Sequence, residues 1–289
     1  DEAADAEAEP ALVRELRGLL GSEATRGVEG GERWLEDGEL LRFVRARKAL
    51  ADSERLFREA MAWRASRAER WGVSTTAGSF GAENEAYHAA WRAAAPVPAW
   101  WAFLRVNLVQ GVCGLDHQGL PVYYSAVGHS DLQGCEREVG LELLQRYCVM
   151  QNDSFLDAAR AARTGSGACL HGGIVIVDLD GLSWRHAREA QVFNRVVEAM
   201  KALHPERQRR CFMVRAPHAF AVVWRLVRPV IDPRTAARIT ILGSRDSLQP
   251  LLDEAGPASV PQFLGGTSTK MPEPCTRLLP VGEFHRQAG

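Results

Sequence analysis

Several features that would assign a function class directly are missing from the sequence. There is no run of about 18 apolar residues, the length that crosses a bilayer as a helix. The six cysteines are scattered and form no CxxC pair. This spacing argues against a zinc or redox motif and predicts reduced, buried thiols in a cytosolic protein. The formal net charge is only −1. Because a nucleic-acid binder needs a broad basic surface, we expect no nucleic-acid partner.

Catalytic and cofactor signatures are also missing. The eight histidines stand singly, without HExxH or HxH spacing, and there is no GxSxG elbow. The glycine-rich loop Thr164–Gly167 precedes an apolar stretch and opens no helix, so it lacks the amide donors of a phosphate loop. Asp178, at the end of that stretch, could act as an acid or base, but a strand-end carboxylate more often caps the following turn. We therefore expect no enzyme activity, catalytic residue, metal or cofactor.

Residues 1–100 predict a small module of helices. The acidic, alanine-rich residues 1–10 are expected to be flexible, with a helix beginning at Pro10. Apolar spacing predicts further helices over 37–48 and 53–67. The basic side chains of the 37–48 helix are typical of a solvated face, although one of them could point into a site. These side chains are Arg42, Arg45, Arg47 and Lys48.

From Phe103 onward, strand-like stretches alternate with helical ones. The predicted strands cover residues 106–112, 121–124, 174–179, 211–214 and 238–242. The predicted helices cover residues 136–162, 184–203, 219–227 and 247–254. This order is typical of an α/β domain with a largely parallel sheet and right-handed crossovers. We predict this domain over residues 101–266, followed by a C-terminal tail over 267–289.

One stretch of the nearly neutral chain is strongly basic. Residues 201–240 carry nine basic and two acidic side chains, a local charge of +7. The basic side chains lie on and around an almost wholly apolar helix, Ala219–Val227. A helix that is apolar nearly all round has two apolar neighbours, so we expect this one to face a cavity and an anionic membrane. The alternative interpretation is a buried core helix whose arginines extend to solvent.

Several short motifs follow one another between Leu40 and Gly266. The motifs are Leu40–Lys48 with Trp63-Arg64, Asp116-x-x-Gly119-x-Pro121-Val122-Tyr123, Asp178–Ser183, Pro205-Glu206-Arg207, Ala216-Pro217, Asp232-Pro233-x-Thr235 and Ile239–Gly243. Each motif is weak alone, but together their order and spacing resemble those of the CRAL-TRIO lipid-binding family, most closely its yeast phosphatidylinositol-transfer branch.

The resemblance implies an N-terminal helical module and a mixed, mostly parallel sheet that floors a lipid cavity. It also implies a mobile gate helix over Ala219–Val230, which touches the membrane. The implied gate contacts are Phe220, Val223, Trp224, Arg225, Val227 and Arg228. The implied activity is to hold one phospholipid and exchange it with membranes, without covalent chemistry.

The resemblance also assigns a head-group site for phosphatidylinositol. The implied residues are Arg47, Glu206, Arg207, Thr235, Arg238 and Tyr123. Arg238 occupies a lysine position of the family, which replaces a point charge with a planar fork of donors. Gly173 and Val175 occupy hydroxyl positions of the family's phosphatidylcholine site, so these choline-lipid contacts are missing.

Two other functions remain open on the sequence. The cavity could carry another hydrophobe, such as a tocopherol, retinoid or sterol. Alternatively, the domain could be a scaffold within a larger signalling protein, since a chain that starts at Asp1 instead of Met is expected to be a piece of a longer one. For either transfer or presentation of a lipid, we expect a cytoplasmic protein that associates peripherally with membranes. A lipid kinase or flanking domains are the expected protein partners.

Overall fold

The computed structural model describes residues 2–28, 31–47, 49–72, 79–162, 172–218, 220, 224 and 236–271. The first part of the chain is helical, as predicted. Its helices are α1 (Glu2–Leu20), α2 (Asp37–Ala46), α3 (Leu50–Trp71), α4 (Phe80–Arg92) and α5 (Ala99–Asn107).

The N-terminal helices share one apolar core. Trp34, Phe43 and Phe57 are fully buried in it, and the rings of Phe43 and Phe57 meet edge to face at 5.0 Å. Helix α1 begins at Glu2, so the expectation of a helix starting at Pro10 was wrong. The alanine-rich segment has high helix propensity, and Glu9 ion-pairs with Arg45 of α2 at 2.7 Å. These two effects extend the helix from Pro10 toward the N-terminus.

A five-stranded sheet follows, in the order β1-β2-β3-β4-β5. β1 (Gln110–Leu115) pairs antiparallel with β2 (Pro121–Ser125), whereas β2, β3 (Gly173–Asp178), β4 (Gln208–Ala216) and β5 (Ile239–Gly243) run parallel. The connection from β2 to β3 carries α6 (Leu132–Val139) and α7 (Leu141–Ala161), and the connection from β3 to β4 carries α8 (Trp184–Lys201). The predicted mostly parallel α/β sheet is confirmed.

The sheet has two different apolar faces because side chains alternate along each strand. One face packs beneath the C-terminal elements, which include α9 (Gln249–Ala255). The side chains of this face are Val122, Tyr124, Ile174, Ile176, Phe212 and Val214. The opposite face turns toward α7, and its side chains include Tyr123, Val175, Val177, Cys211 and Met213.

Two further predicted boundaries were wrong. The strand expected at 106–112 begins only at Gln110, because α5 continues to Asn107. The single helix expected over 136–162 is two helices, separated at Gly140 with φ of 81°. Only glycine adopts that backbone conformation without steric cost, so the chain turns there.

The beginning of the predicted C-terminal tail is part of the packed domain. Ser268 donates a hydrogen bond from Oγ to the carbonyl of Cys113 at 2.5 Å. Met271 is 8% exposed and joins the core beneath the sheet. Packing therefore continues to Met271, the last residue that the structure describes.

Candidate functional site

A cavity of about 760 Å³ lies on the α7 side of the sheet. Its floor is made by side chains of the second sheet face, and α7 and α8 form its walls. Phe220 closes part of it. The lining residues used below are Gln110, Tyr123, Cys148, Asn152, Val175, Val177, Trp184, Phe193, Arg207, Met213 and Phe220. Most of the described lining is apolar.

Arg207 places a cation in this cavity. It donates a hydrogen bond from Nη1 to Oδ1 of Asn152, and its guanidinium carbon lies 5.9 Å from the centre of the Tyr123 ring. Burial lowers the pKa of Arg207 and raises the pKa of Tyr123 well above its usual value. The Tyr123 hydroxyl donates to Oε1 of Gln110 at 3.0 Å. Arg207 and Tyr123, both predicted as site residues, are thus close together.

Glu206 and Arg238 form a separate pair near the start of β4. Arg238 Nη1 lies 2.6 Å from Glu206 Oε2 and also donates to the carbonyl of Gln208 at 3.3 Å. Glu206 has a φ of 50°, which is uncommon outside glycine. Arg42 donates from Nε to the carbonyl of Pro205 at 3.0 Å and fixes this turn to α2. The structure therefore brings two further predicted residues, Glu206 and Arg238, into contact.

Arg47 lies at the end of α2, where it is exposed and donates to the carbonyl of Ala46 at 2.9 Å. Among the contacts of the described residues, none joins it to Glu206 or Arg238. Its neighbour Arg45 has a raised pKa because of its hydrogen bond with Glu9, and the charge of Glu206 contributes to that rise. Thr235 lies outside the described residues.

The predicted gate is described at two positions, Phe220 and Trp224. Phe220 is 8% exposed and packs with Leu179 and Ala216. The Trp224 ring stacks on Phe220 with 6.2 Å between centroids. These contacts hold the two aromatic residues against the sheet. The remaining predicted gate residues, Val223, Arg225, Val227 and Arg228, lie outside the described part of the chain.

A buried ionic network supports the turn that carries Glu206 and Arg207. Arg64 of α3 makes two bonds, of 2.7 and 2.8 Å, to the carboxylate of Asp153 on α7. His204 Nε2 lies 2.6 Å from the same carboxylate. The neighbouring arginine holds the pKa of Asp153 far below its usual range although burial alone would raise it. Because His204 precedes Glu206 by two residues, the network fixes where the turn begins.

Arg42 corrects the expectation of a solvated basic face on α2. It is 2% exposed and pairs with Glu39 at 2.6 Å. Arg160 also binds Glu39 at 2.6 Å, and the two cations lower the pKa of this carboxyl to about 2 against the effect of burial. Helical spacing gave no signal for this burial, because Arg42 lies on the helical wheel opposite the apolar stripe that contains Leu40 and Val44.

Asp178 caps the turn after β3, as the sequence predicted. Its Oδ1 accepts from the backbone N–H of Asp180 at 3.1 Å, and Oδ2 accepts from the Tyr124 hydroxyl at 2.7 Å. Arg215 forms an ion pair with the same carboxylate at 2.5 Å. The carboxylate is fully buried and its oxygens are occupied, which is the arrangement of a structural group.

Four cysteines are buried free thiols, as expected: Cys113, Cys135, Cys148 and Cys211. Cys169 and Cys275 lie outside the described residues. Within the described residues, no group of three or more potential ligands is arranged to hold a metal. None of the described helices combines the length and apolarity needed to cross a bilayer.

Comparison with known proteins identifies the family. The model of the CRAL/TRIO domain matches residues 106–266, more than half of the chain. The chain therefore belongs to the CRAL/TRIO domain family.

Three related proteins illustrate the range of similarity. The CRAL-TRIO domain-containing protein T23G5.2 of Caenorhabditis elegans is 31% identical over 156 residues, which cover 53% of this chain and 22% of that protein. Protein real-time of Aedes aegypti is 31% identical over 161 residues, 54% of this chain and 25% of that protein. SEC14 cytosolic factor of Kluyveromyces lactis is 29% identical over 263 residues, 89% of this chain and 78% of that protein. The first two matches thus span about a quarter of those relatives or less.

A solved structure supports the same fold. The crystal structure of Sfh5 superposes with a TM-score of 0.58, covering 97% of this chain and 96% of that one at 12% identity. With the match to SEC14 cytosolic factor, this confirms the predicted CRAL-TRIO family and its Sec14-type α/β fold. The family and fold support the coarser part of the predicted function, that of a lipid-binding transfer protein.

Proposed function

We propose that this protein holds one phospholipid, with phosphatidylinositol favoured, and exchanges or presents it at membrane surfaces. The observation that carries the proposal is the largely apolar cavity of about 760 Å³ beneath Phe220. Arg207 lies inside this cavity, and the residue before it, Glu206, pairs with Arg238. A cavity with apolar walls and a few convergent polar groups is the expected form of a small-molecule site.

The physical need for a closed cavity comes from the acyl chains. A diacyl lipid carries roughly 30 methylene groups, and at about 0.8 kcal/mol each their exposure to water would cost on the order of 24 kcal/mol. A carrier must therefore enclose the chains in solution and release them only at a bilayer. Phe220 and Trp224 cover apolar side chains of the sheet and supply part of this enclosure.

The head group of an inositol lipid requires cations for its phosphate and acceptors for its hydroxyls. In the proposed site Arg238 binds phosphate oxygens with its planar fork, and Glu206 accepts from the sugar. Arg47, Thr235, Arg207 and Tyr123 complete the set that the family resemblance suggests. The Glu206–Arg238 contact of 2.6 Å supports the proposal by showing an acceptor and a donor fork side by side.

The membrane contact combines the gate with the cavity rim. In this proposal Val223, Arg225, Val227 and Arg228 complete the gate surface begun by Phe220 and Trp224. The two arginines would meet anionic lipid phosphates at about 1 kcal/mol each. Such a contact is reversible, so it suits a cytoplasmic protein that visits membranes peripherally. Presentation to a lipid kinase, or to flanking domains of a longer chain, would use the same opening.

Native mass spectrometry of the purified protein tests the cargo. We expect one phospholipid per chain, with phosphatidylinositol enriched over its share of the host lipids. A well-folded protein that carries no lipid and takes up none from vesicles would refute the proposal. A co-purified tocopherol, retinoid or sterol would support the alternative carrier function, and a scaffold would retain its partners without any cargo.

A charge-matched pair of variants tests the head-group assignment. Arg238→Gln should lower phosphatidylinositol transfer roughly tenfold, as expected for loss of a charged hydrogen bond, while phosphatidylcholine transfer, if present, is retained. Arg210→Gln removes an exposed arginine of β4 whose Nε lies 4.0 Å from Oε1 of Glu254, and this variant should transfer both lipids normally. Equal losses for all lipids in the Arg238 variant would contradict a head-group role.

A further inference from the structure

One buried arginine of α5 has no counter-ion. Arg42, Arg64 and Arg105 are the arginines of the described chain that are more than nine-tenths buried. Arg42 binds Glu39 at 2.6 Å, and Arg64 binds Asp153 at 2.7 Å. Arg105 is 8% exposed, and its Nε is buried without a hydrogen-bond partner. Among the described residues, no carboxylate lies within ion-pair distance of Arg105, and no acceptor bonds to it.

The side chains around Arg105 add positive charge instead of compensating it. Trp101 precedes Arg105 by one helical turn, and its ring contacts the ring of His88 at 4.9 Å. Arg92 follows His88 by one turn on α4 and is exposed. Burial lowers the pKa of Arg105, and the charge of Arg92 adds to this effect. Burial and the charges of Arg105 and Arg92 also lower the pKa of His88 to about 4. The acidic group that faces Arg105 is the Tyr147 hydroxyl, whose pKa is raised by burial, so it carries no charge at neutral pH.

Buried hydrogen bonds hold this part of the molecule in place. Oδ1 of Asn84 on α4 accepts from Nε1 of Trp101 at 3.0 Å and from Nε2 of Gln151 on α7 at 3.2 Å. These three side chains are at most 1% exposed. Nε2 of Gln151 also lies 3.5 Å from Nε2 of His88. Because breaking such a bond would leave a buried polar group unpaired, the contacts keep α4 and α5 at a fixed separation before any ligand binds.

An oxyanion would supply the charge that this cluster lacks. A buried charge is costly unless an anion and hydrogen bonds compensate it. The guanidinium of Arg105 has five N–H donors in a planar fork, which matches two oxygens of a phosphate or carboxylate. A terminal phosphate carries a charge of about −1.5 to −2 at neutral pH, so two arginines can share it, whereas a carboxylate carries a single charge. Since Arg105 is 8% exposed, only the end of a ligand reaches it.

We propose that Arg105 and Arg92 form a site for a terminal phosphate group between α4 and α5, with His88 beside them. None of these three residues lines the lipid cavity, and none belongs to the motifs of the family resemblance. The site therefore goes beyond the proposed function and does not depend on it. The phosphate can come from a soluble phosphomonoester or from a lipid whose head group ends in phosphate, such as phosphatidic acid.

Inorganic phosphate tests the site directly. The full chain is titrated with phosphate at constant pH and ionic strength, and binding is measured by isothermal titration calorimetry. We expect saturable binding of one phosphate per chain and a rise in Tm, because a ligand of the folded state stabilises that state. Arg105→Met keeps the length of the side chain without its charge. It should weaken phosphate binding by about tenfold or more, as expected for loss of charged hydrogen bonds.

Two measurements control this variant. Because Arg105 has no counter-ion among the described residues, Arg105→Met should have an equal or higher Tm in phosphate-free buffer, which shows that it folds. Arg92→Gln should weaken phosphate binding by only about two- to fivefold, since exposed charges contribute less. Arg137→Gln removes an exposed arginine of α6 and is the matched control for Arg92, so it should bind phosphate as the wild type does.

Vesicles distinguish the two sources of phosphate. Co-sedimentation compares vesicles containing phosphatidic acid with vesicles of equal surface charge containing phosphatidylglycerol, whose phosphate is a diester. A preference for phosphatidic acid that is lost in Arg105→Met assigns the site to a membrane lipid. Phosphate binding that depends on Arg105, without this preference, assigns it to a soluble compound.

Two outcomes would overturn the site. One is a wild-type chain that neither binds inorganic phosphate nor prefers phosphatidic acid. The other is an Arg105→Met variant that matches the wild type in both measurements. Lipid uptake into the cavity is measured separately by native mass spectrometry, so failure of the phosphate site leaves the proposed function standing.

Discussion

At the residue scale, His204 is a buried histidine that is neutral although the carboxylate of Asp153 lies beside it. Burial lowers its pKa to about 4, and the charges of Arg64 and Arg42 add to this effect. The carboxylate of Asp153 raises the pKa of His204, but this carboxylate is already bound by Arg64. The imidazole is therefore best described as a neutral donor to Asp153, with Arg64 as the counter-ion of that carboxylate.

This state predicts a pH dependence of stability. An unfolded histidine has a pKa near 6.5, so between about pH 6.5 and 4 the unfolded chain binds a proton that folded His204 does not. Stability must therefore fall as the pH drops through this window. We expect His204 to account for about 2 kcal/mol of the loss between pH 7.5 and 5. Urea denaturation at the two pH values measures it.

His204→Gln isolates this contribution. Glutamine keeps an amide donor for Asp153 but does not titrate in this range, so the variant should lose less stability on acidification than the wild type. His117→Gln alters an exposed histidine outside the network and is the matched control. The same pH slope in wild type and His204→Gln would show that His204 does not titrate as inferred.

At the element scale, α8 supplies a rim that the sequence reasoning did not identify. Trp184 is 72% exposed and Phe193 is 49% exposed, and both line the cavity. Large exposed aromatic residues beside an apolar cavity form a surface suited to the membrane interface. The helix was correctly predicted from its apolar spacing, but that spacing does not show which side chains border an opening.

Truncation of this rim should weaken membrane association. A large apolar side chain contributes about 1.5–3 kcal/mol when fully buried, so Trp184→Ala with Phe193→Ala should reduce vesicle binding by at least tenfold. Co-sedimentation with phospholipid vesicles measures the change. Leu115→Ala is a suitable control, because Leu115 is 54% exposed and does not line the cavity. Unchanged binding by the double variant would exclude a membrane role for the rim.

At the scale of the whole molecule, the N-terminal helices and the sheet domain are joined by charged contacts. Arg64 reaches from α3 to Asp153 on α7, and Arg42 reaches from α2 to Pro205. The Arg64–Asp153 pair is almost completely buried, so loss of one partner leaves a charge without compensation. These contacts make the helical module part of the support for the cavity.

Two arginines of α3 allow the buried Arg64–Asp153 pair to be compared with the exposed Arg70–Glu142 pair. Arg64→Met should cost about 3–5 kcal/mol of unfolding free energy, because it leaves Asp153 buried and without its main counter-ion. Arg70 also binds an acid of α7, Glu142, but it is 60% exposed. Arg70→Met should therefore cost about 0–1 kcal/mol. Denaturant unfolding compares the two, and similar losses would contradict the assigned role of burial.

The sequence by itself determined the order of helices and strands, and with it the parallel sheet, because alternation along strands and helical spacing are local properties. The family came from the resemblance of short motifs, and that resemblance also placed Arg207, Arg238 and Glu206 in one functional region. The sequence could not show that Arg207 lines the cavity while Glu206 and Arg238 pair with each other. Neighbouring side chains at a turn diverge according to the backbone, and the turn at Glu206 has an unusual φ.

Only the tertiary structure decided which charges are buried. Arg42 and Arg47 belong to the same basic segment, yet one is fully enclosed and the other is exposed. The difference arises because distant parts of the chain cover Arg42: it donates to the carbonyl of Pro205, and its local partner Glu39 is shared with Arg160 of α7. A local sequence pattern shows that a residue is charged. Its role in this protein depends on whether the tertiary structure places an anion next to that charge.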